Sequence, residues 1–337
     1  MNNFFNYTST LLFIIIVITG IFIPKPVSAE KYPGTRIVTQ NGYRNCIELS
    51  NETTRVVLEP NLGGRVLIYA LNGNNILYVD PSQNGLVWEP GKEMPGPCAG
   101  RFDIGPEMIA PKRPVLWFGK WEGRITGPRE AVLISQVDSS TGVMLIRKFS
   151  LNENSSKLTC TQYIRNMSQD IKRYYHWSRT FVEGGGISVT PLNPVSRYPM
   201  GFLNYGPKST MNFKPEQEPN LRVREGMLEI TGPLQKPKLV MDPYDGWLAY
   251  LSNDNQLFIK SFSVFPERNY GDMAAPTASI WYNDPERCEV EPLGPVETIE
   301  PGQTVSFTEV WYLYDYEFPP DGKADLKEIR SMVIPAD

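Results

Sequence analysis

The chain has 337 residues, 41% hydrophobic and 21% charged, a balance that fits a folded protein and excludes a disordered one. Its net charge is −4, and no cluster of Lys and Arg reaches the density of a nucleic-acid surface, which excludes that partner. Cys46, Cys98, Cys160 and Cys288 are widely spaced with no CxxC pair, so neither a zinc site nor a redox motif is indicated, and no metal or cofactor is expected.

Leu11 to Ile23 is an uncharged apolar run of thirteen residues. That is shorter than the roughly 20 residues that span a bilayer. Val27-Ser28-Ala29 follows it as a small-residue cleavage pattern. The segment reads as a secretory signal peptide, residues 1–29, cut after Ala29. Residues 30–337 are then one domain of an exported protein, periplasmic or secreted, with no stable membrane insertion. No Lys or Arg precedes the run, so an N-terminal membrane anchor is the alternative. An even number of cysteines in an exported chain permits up to two disulfides, in three connectivities. The plainer reading is four structural cysteines, since a fold of this size needs no staples. Asn51, Asn154 and Asn166 head formal glycosylation sequons.

Beyond this segment, runs rich in β-branched and aromatic residues recur between Gly, Pro, Asn and Asp. Strands are predicted over 54–60, 64–71, 131–138, 142–151, 157–166, 256–265 and 304–314. Asn72-Gly73-Asn74-Asn75 reads as a hairpin turn. The stretch 89–114 reads as a long irregular excursion, and such loops are often functional. KLTCTQYI alternates, with Leu158, Cys160, Gln162 and Ile164 on one side and Thr159, Thr161 and Tyr163 on the other. Helical spacing is confined to the tail, 323–334, where a helix is expected to cover an edge or end of a sheet. Many strands and few helices predict an all-β fold, a large antiparallel sandwich.

Three segments carry candidate chemistry. Residues 98–123 set Arg101, Asp103, Glu107, Arg113, Trp117 and Trp121 in a Pro/Gly framework. Forked polar groups beside flat apolar faces suit a sugar, whose hydroxyls and C–H faces they match. A loop held by ion pairs, with Trp filling core, accounts for the same residues. The second segment, RYYHWSRTF, holds the only histidine. As a strand it puts Tyr174, His176, Ser178 and Thr180 on a polar face that would line a cleft. Tyr175, Trp177, Arg179 and Phe181 would share the other face, which apart from Arg179 reads as core. A lone histidine is nevertheless more often structural than catalytic. The third segment is CEVEP, whose Glu289 and Glu291 point to one strand face. Neighbouring carboxylates can raise one pKa, which suits general acid–base work. A solvated surface strand is the bland alternative.

Together these segments resemble the galactose mutarotase-like superfamily. NLGGRVLIYALNGNNILYVD is similar to its opening strand, Gly-Gly pair and hairpin. IRNMSQDIKRYYHWSRTF is similar to its histidine-bearing mid-chain strand. EVEPLGP with IEPGQTVSFTEVWYL looks like its final carboxylate strand and Pro-Gly turn. The likeness is closest to a family of exported bacterial proteins of unknown function within that superfamily, and spans roughly residues 40–315. It implies a supersandwich with a sugar cleft on a concave face. By position it implies Glu291 as the base at the anomeric hydroxyl, with Glu289 its rival, and His176 as the acid at the ring oxygen. Arg101 would hold substrate hydroxyls, with Asp103, Glu107, Trp117 and Arg179 as further contacts. The chain departs from the enzymes in having one histidine where they generally use two. Ile104-Gly105 stand where an Asn-Arg pair usually follows the Gly-Arg of the substrate loop, and the substrate-binding Asp has only Asp242 or Asp245 as matches.

The expected function is binding of a mono- or oligosaccharide, with aldose 1-epimerase-like chemistry open. The alternatives are a non-catalytic envelope carbohydrate-binding protein, or a polysaccharide lyase or hydrolase on the same fold. In the last case Glu107 and Glu291 would be the carboxylate pair.

Overall fold

The computed structural model describes residues 32–205, 210–215 and 218–334. The signal-peptide and anchor readings lie outside the described residues. No described helix is long and apolar enough to cross a membrane.

The chain forms two antiparallel sheets of 13 and 10 strands packed face to face. The centre of the larger sheet runs Gly100–Gly105, Lys172–Glu183, Arg287–Pro292, Ala278–Asp284, Lys238–Met241. The smaller sheet has Gln256–Phe262, Thr304–Asp315, Leu158–Asn166 and Val143–Leu151 side by side at its centre. The alternation in KLTCTQYI is realised. Leu158, Cys160, Gln162 and Ile164 are buried between the sheets, while Thr159, Thr161 and Tyr163 are half-buried on the far side.

Every predicted strand is present, although 131–138 stops at Ile134 and 256–265 at Phe262. Asn72 and Gly73 both have positive φ and turn the chain into the two-residue strand Asn74–Asn75. The predicted excursion over 89–114 is interrupted by the central strand Gly100–Gly105. Its mixed sequence, GRFDIG, hid it, because one face is apolar and the other is charged. The tail helix, Leu326–Met332, is capped by Asp325, whose carboxylate accepts from the Lys327 and Glu328 amides at 3.1 and 2.9 Å. It covers the outer face of the smaller sheet, packing Leu326 and Ile329 against Trp247 and Ile259, not an edge or end.

The inter-sheet core is largely apolar but contains a buried charged network, together with Arg147 and His176. Lys260 Nζ lies 3.0 Å from Glu309 Oε2. Ser178 and the Trp311 indole donate to the same oxygen at 3.0 Å, and Lys260 donates to Ser178 and Thr180. All four cysteines are buried with free thiols.

Candidate functional site

Residues opposite one another in an antiparallel pair point to the same side of the sheet. Arg179 is opposite Arg101, Trp177 opposite Asp103, and Tyr175 opposite Gly105. Across the next strand pair Phe181 is opposite Glu289, and Glu289 is opposite Trp281, itself opposite Lys238. The register therefore gathers Arg101, Asp103, Tyr175, Trp177, Arg179, Lys238, Glu289 and Glu291 on the outer face of the larger sheet. The Gly63-Gly64 pair shapes one border. Both glycines have positive φ, and a Cβ on Gly63 would lie 1.9 Å from the Trp117 carbonyl oxygen. The pair thus lets the turn of helix Pro114–Phe118 settle over the sheet.

One half of the face is a cleft of about 250 Å³ lined by Met94, Pro95, Pro97, Arg101, Asp103, Trp117, Phe118 and Arg179. Asp103 is spent on Arg113, which grips it with two hydrogen bonds of 2.6 and 2.8 Å. Arg179 forks Glu289 at 2.7 and 3.3 Å. Arg101 donates to the Trp117 carbonyl and lies over the Phe118 ring, 4.7 Å from its centroid.

The other half centres on Lys238, whose Nζ lies 3.1 Å from Glu107 and 3.5 Å from Glu291. Trp177 joins the halves. Arg179 and Lys238 both lie over its ring, 4.5 and 4.7 Å from the centroid. Burial alone would raise Glu291, but Lys238, Arg179 and the Trp177 N–H hold it below the usual carboxylate range. Burial would likewise lower Lys238, but Glu291, Glu107 and Asp272 raise it, so it stays protonated. Burial pushes Glu289 up, and Glu291 adds to that while Arg179 opposes it. Asp272 is also pushed up, by burial first.

His176 is the principal correction. The face expected to line a cleft is the core face, and the face expected to be core is the cleft. His176 is fully buried between the sheets, its ring stacked against Phe102 and Phe307 with centroids 5.7 and 5.9 Å away. Burial lowers its pKa to about 3, so it is neutral. The reading failed because the polar residues of this strand serve the inter-sheet network, whereas Trp177 and Tyr175 pack with Leu293 on the outer face of the sheet, both buried. Two further expectations change. Asp242 accepts from Ser196 Oγ and the Arg197 amide, and Asp245 pairs with Arg330 at the surface, so both carboxylates are already engaged. Trp121 is core.

The other candidates lie together on the outer face of the larger sheet. Glu289 and Glu291 share one face and are buried, not solvated. Arg101, Asp103, Trp117 and Arg179 line the cleft. Glu107 is more exposed and reaches Lys238. Sequence reasoning missed Lys238, Asp272 and Tyr175. Lys238 opens the four-residue strand KLVM, too short for its alternation to single out one lysine.

No protein-family model and no curated protein matches this sequence. Solved structures do match. A galactose mutarotase-like protein from Lactobacillus casei superposes with a TM-score of 0.57 at 11% identity, covering 80% of this chain and 100% of its own. A galactose mutarotase-like protein from Clostridium acetobutylicum gives 0.52 at 11% identity, over 85% of this chain and 99% of its own. A galactose mutarotase related enzyme from Lactobacillus acidophilus gives 0.53 at 9% identity, over 81% and 98%. The chain therefore has the galactose mutarotase-like fold. Identity this low carries the architecture and nothing of the chemistry.

Proposed function

We propose that the protein binds a sugar on the outer face of its larger sheet. One observation carries this reading. Glu291 Oε1, Asp272 Oδ2 and Tyr175 Oη are buried without a hydrogen-bond partner, and they lie within electrostatic reach of one another and of Glu107. A buried polar atom left unpaired costs about 1–3 kcal/mol. Ligand hydroxyls, which both donate and accept, recover that cost. The fold it shares with mutarotase-like proteins supports the same reading by analogy.

Epimerase-type isomerisation is the second reading, favoured by Glu291 and Lys238 standing 3.5 Å apart as carboxylate and ammonium. In that chemistry Glu291 takes the proton of the anomeric hydroxyl and Lys238 delivers one to the ring oxygen. The ring opens, and reclosure on the other face inverts the anomeric carbon. His176 has no part in it. Proton transfer is most effective when the pKa lies near the working pH. Glu291 is held low and Lys238 high, so binding takes precedence over turnover here. Polymer cleavage gains no support, because Lys238 bridges Glu107 and Glu291, the two carboxylates it would use.

The test is saturation transfer from the purified protein to a panel of aldoses and uronic acids, with anomer exchange followed in the same samples. Contact that disappears in Lys238→Met supports the binding reading. Exchange accelerated by wild type and abolished in Glu291→Gln adds the epimerase. Contact with no monosaccharide sinks both.

A further inference from the structure

The cleft beside Phe118 carries a charge imbalance. Its walls hold Arg101, Arg179 and Asp103. Arg179 is paired with Glu289, and Asp103 with Arg113. Of these three guanidinium groups, Arg101 is the one without a carboxylate partner. No carboxylate of the described residues stands within ion-pair distance of Arg101, although the residue is only 6% exposed. Desolvating a charge without a partner is expensive, and such groups are ordinarily paired. A second observation points the same way. The indole N–H of Trp117, another wall residue, is buried without an acceptor. Arginine and indole are donors only, so neither group supplies an acceptor to the cleft.

We infer that the ligand is an acidic monosaccharide of the uronate class, whose carboxylate is received by Arg101 with the Trp117 indole beside it. This rests on the sugar-binding reading above and adds the charge. The single unpaired cation matches a monoanionic carboxylate better than a phosphate carrying nearly two charges. A planar guanidinium also matches a planar carboxylate in two parallel hydrogen bonds. The volume, about 250 Å³, is below the roughly 300–1,000 Å³ typical of pockets for larger ligands. That suits one sugar ring and not an oligosaccharide.

Affinities of wild-type protein for D-galacturonate and D-glucuronate would be compared with those for their methyl esters, D-galactose, D-glucose and D-galactose 6-phosphate. The uronates are expected to bind about ten- to a hundredfold tighter than their esters and the neutral sugars, the worth of one charge-assisted contact. Arg101→Gln should remove that preference. The ester comparison uses wild type only, so it holds even if the variant fails to fold. Equal binding of acid, ester and neutral sugar would overturn the inference and leave sugar binding standing. Tighter binding of the phosphate would overturn the carboxylate assignment. No binding by any of them would overturn this inference together with the reading beneath it.

Discussion

The indole nitrogen of Trp177 donates to Glu291 Oε2 at 2.8 Å from the neighbouring strand of the same sheet. The contact adds to the Lys238 ion pair in fixing the carboxylate and leaves its second oxygen, Oε1, unpartnered. Trp177 is itself buried in a small apolar cluster with Tyr175 and Leu293 on the outer face of the sheet.

Trp177→Phe keeps a ring for Arg179 and Lys238 but removes this donor. A hydrogen bond to a charged group contributes about 1.5–3 kcal/mol, and a stability loss of that order is expected at pH 7 by urea denaturation. Glu291 is lowered in the folded state, so its contribution is present above its ordinary value of 4.5 and lost as pH falls below it. The deficit of the variant should shrink accordingly in acid. A deficit independent of pH would mean that lost packing, not the hydrogen bond, is being measured.

His176 gives a different pH signature. Its ordinary value is 6.5, and burial lowers it to about 3. The unfolded chain therefore takes up a proton that the folded one refuses, and stability falls as pH drops from about 6.5 toward 3. The slope from this residue approaches 1.4 kcal/mol per pH unit. His176→Phe should flatten that limb in a pH series of denaturation midpoints while leaving sugar contact intact. Loss of sugar contact in a folded variant would return His176 to the site.

Tyr175 separates function from stability. Its hydroxyl is buried without a partner, so Tyr175→Phe should leave stability unchanged or raise it by up to about 1 kcal/mol, since removing an unsatisfied polar group relieves a cost. Sugar affinity should nonetheless fall. Gly105→Ala should do the reverse of a quiet change. An added Cβ would lie 1.8 Å from the Tyr175 ring, which must move, and a loss above about 2 kcal/mol is expected. Thermal melts with sugar titrations check both.

The buried Lys260–Glu309 pair predicts strong coupling. Either Lys260→Met or Glu309→Gln alone leaves a charge unpaired and should cost about 3–5 kcal/mol. The double variant should cost less than the sum of the two. Strict additivity in a double-mutant cycle would deny the interaction.

How much of this was legible in advance varies by residue. Glu289 and Glu291 were readable as a pair because two residues on one strand share a face whatever surrounds them. Arg101, Trp117 and Arg179 stood out by their chemistry. Lys238 and Asp272 did not, because each is one charged residue in an unremarkable segment. They matter only through pairing across strands far apart in the chain.

The alternation of KLTCTQYI, the hairpin at Asn72-Gly73 and the capped tail helix are local patterns, and they by themselves determined an antiparallel β architecture. Periodicity also split residues 174–181 into two faces correctly. Which face meets the other sheet is not a local property, since both carried aromatic and polar groups. The tertiary structure decided it by offering Glu309 and Lys260 as partners to Ser178 and Thr180. That choice sent His176 inward and left Trp177 and Arg179 on the outer face of the sheet.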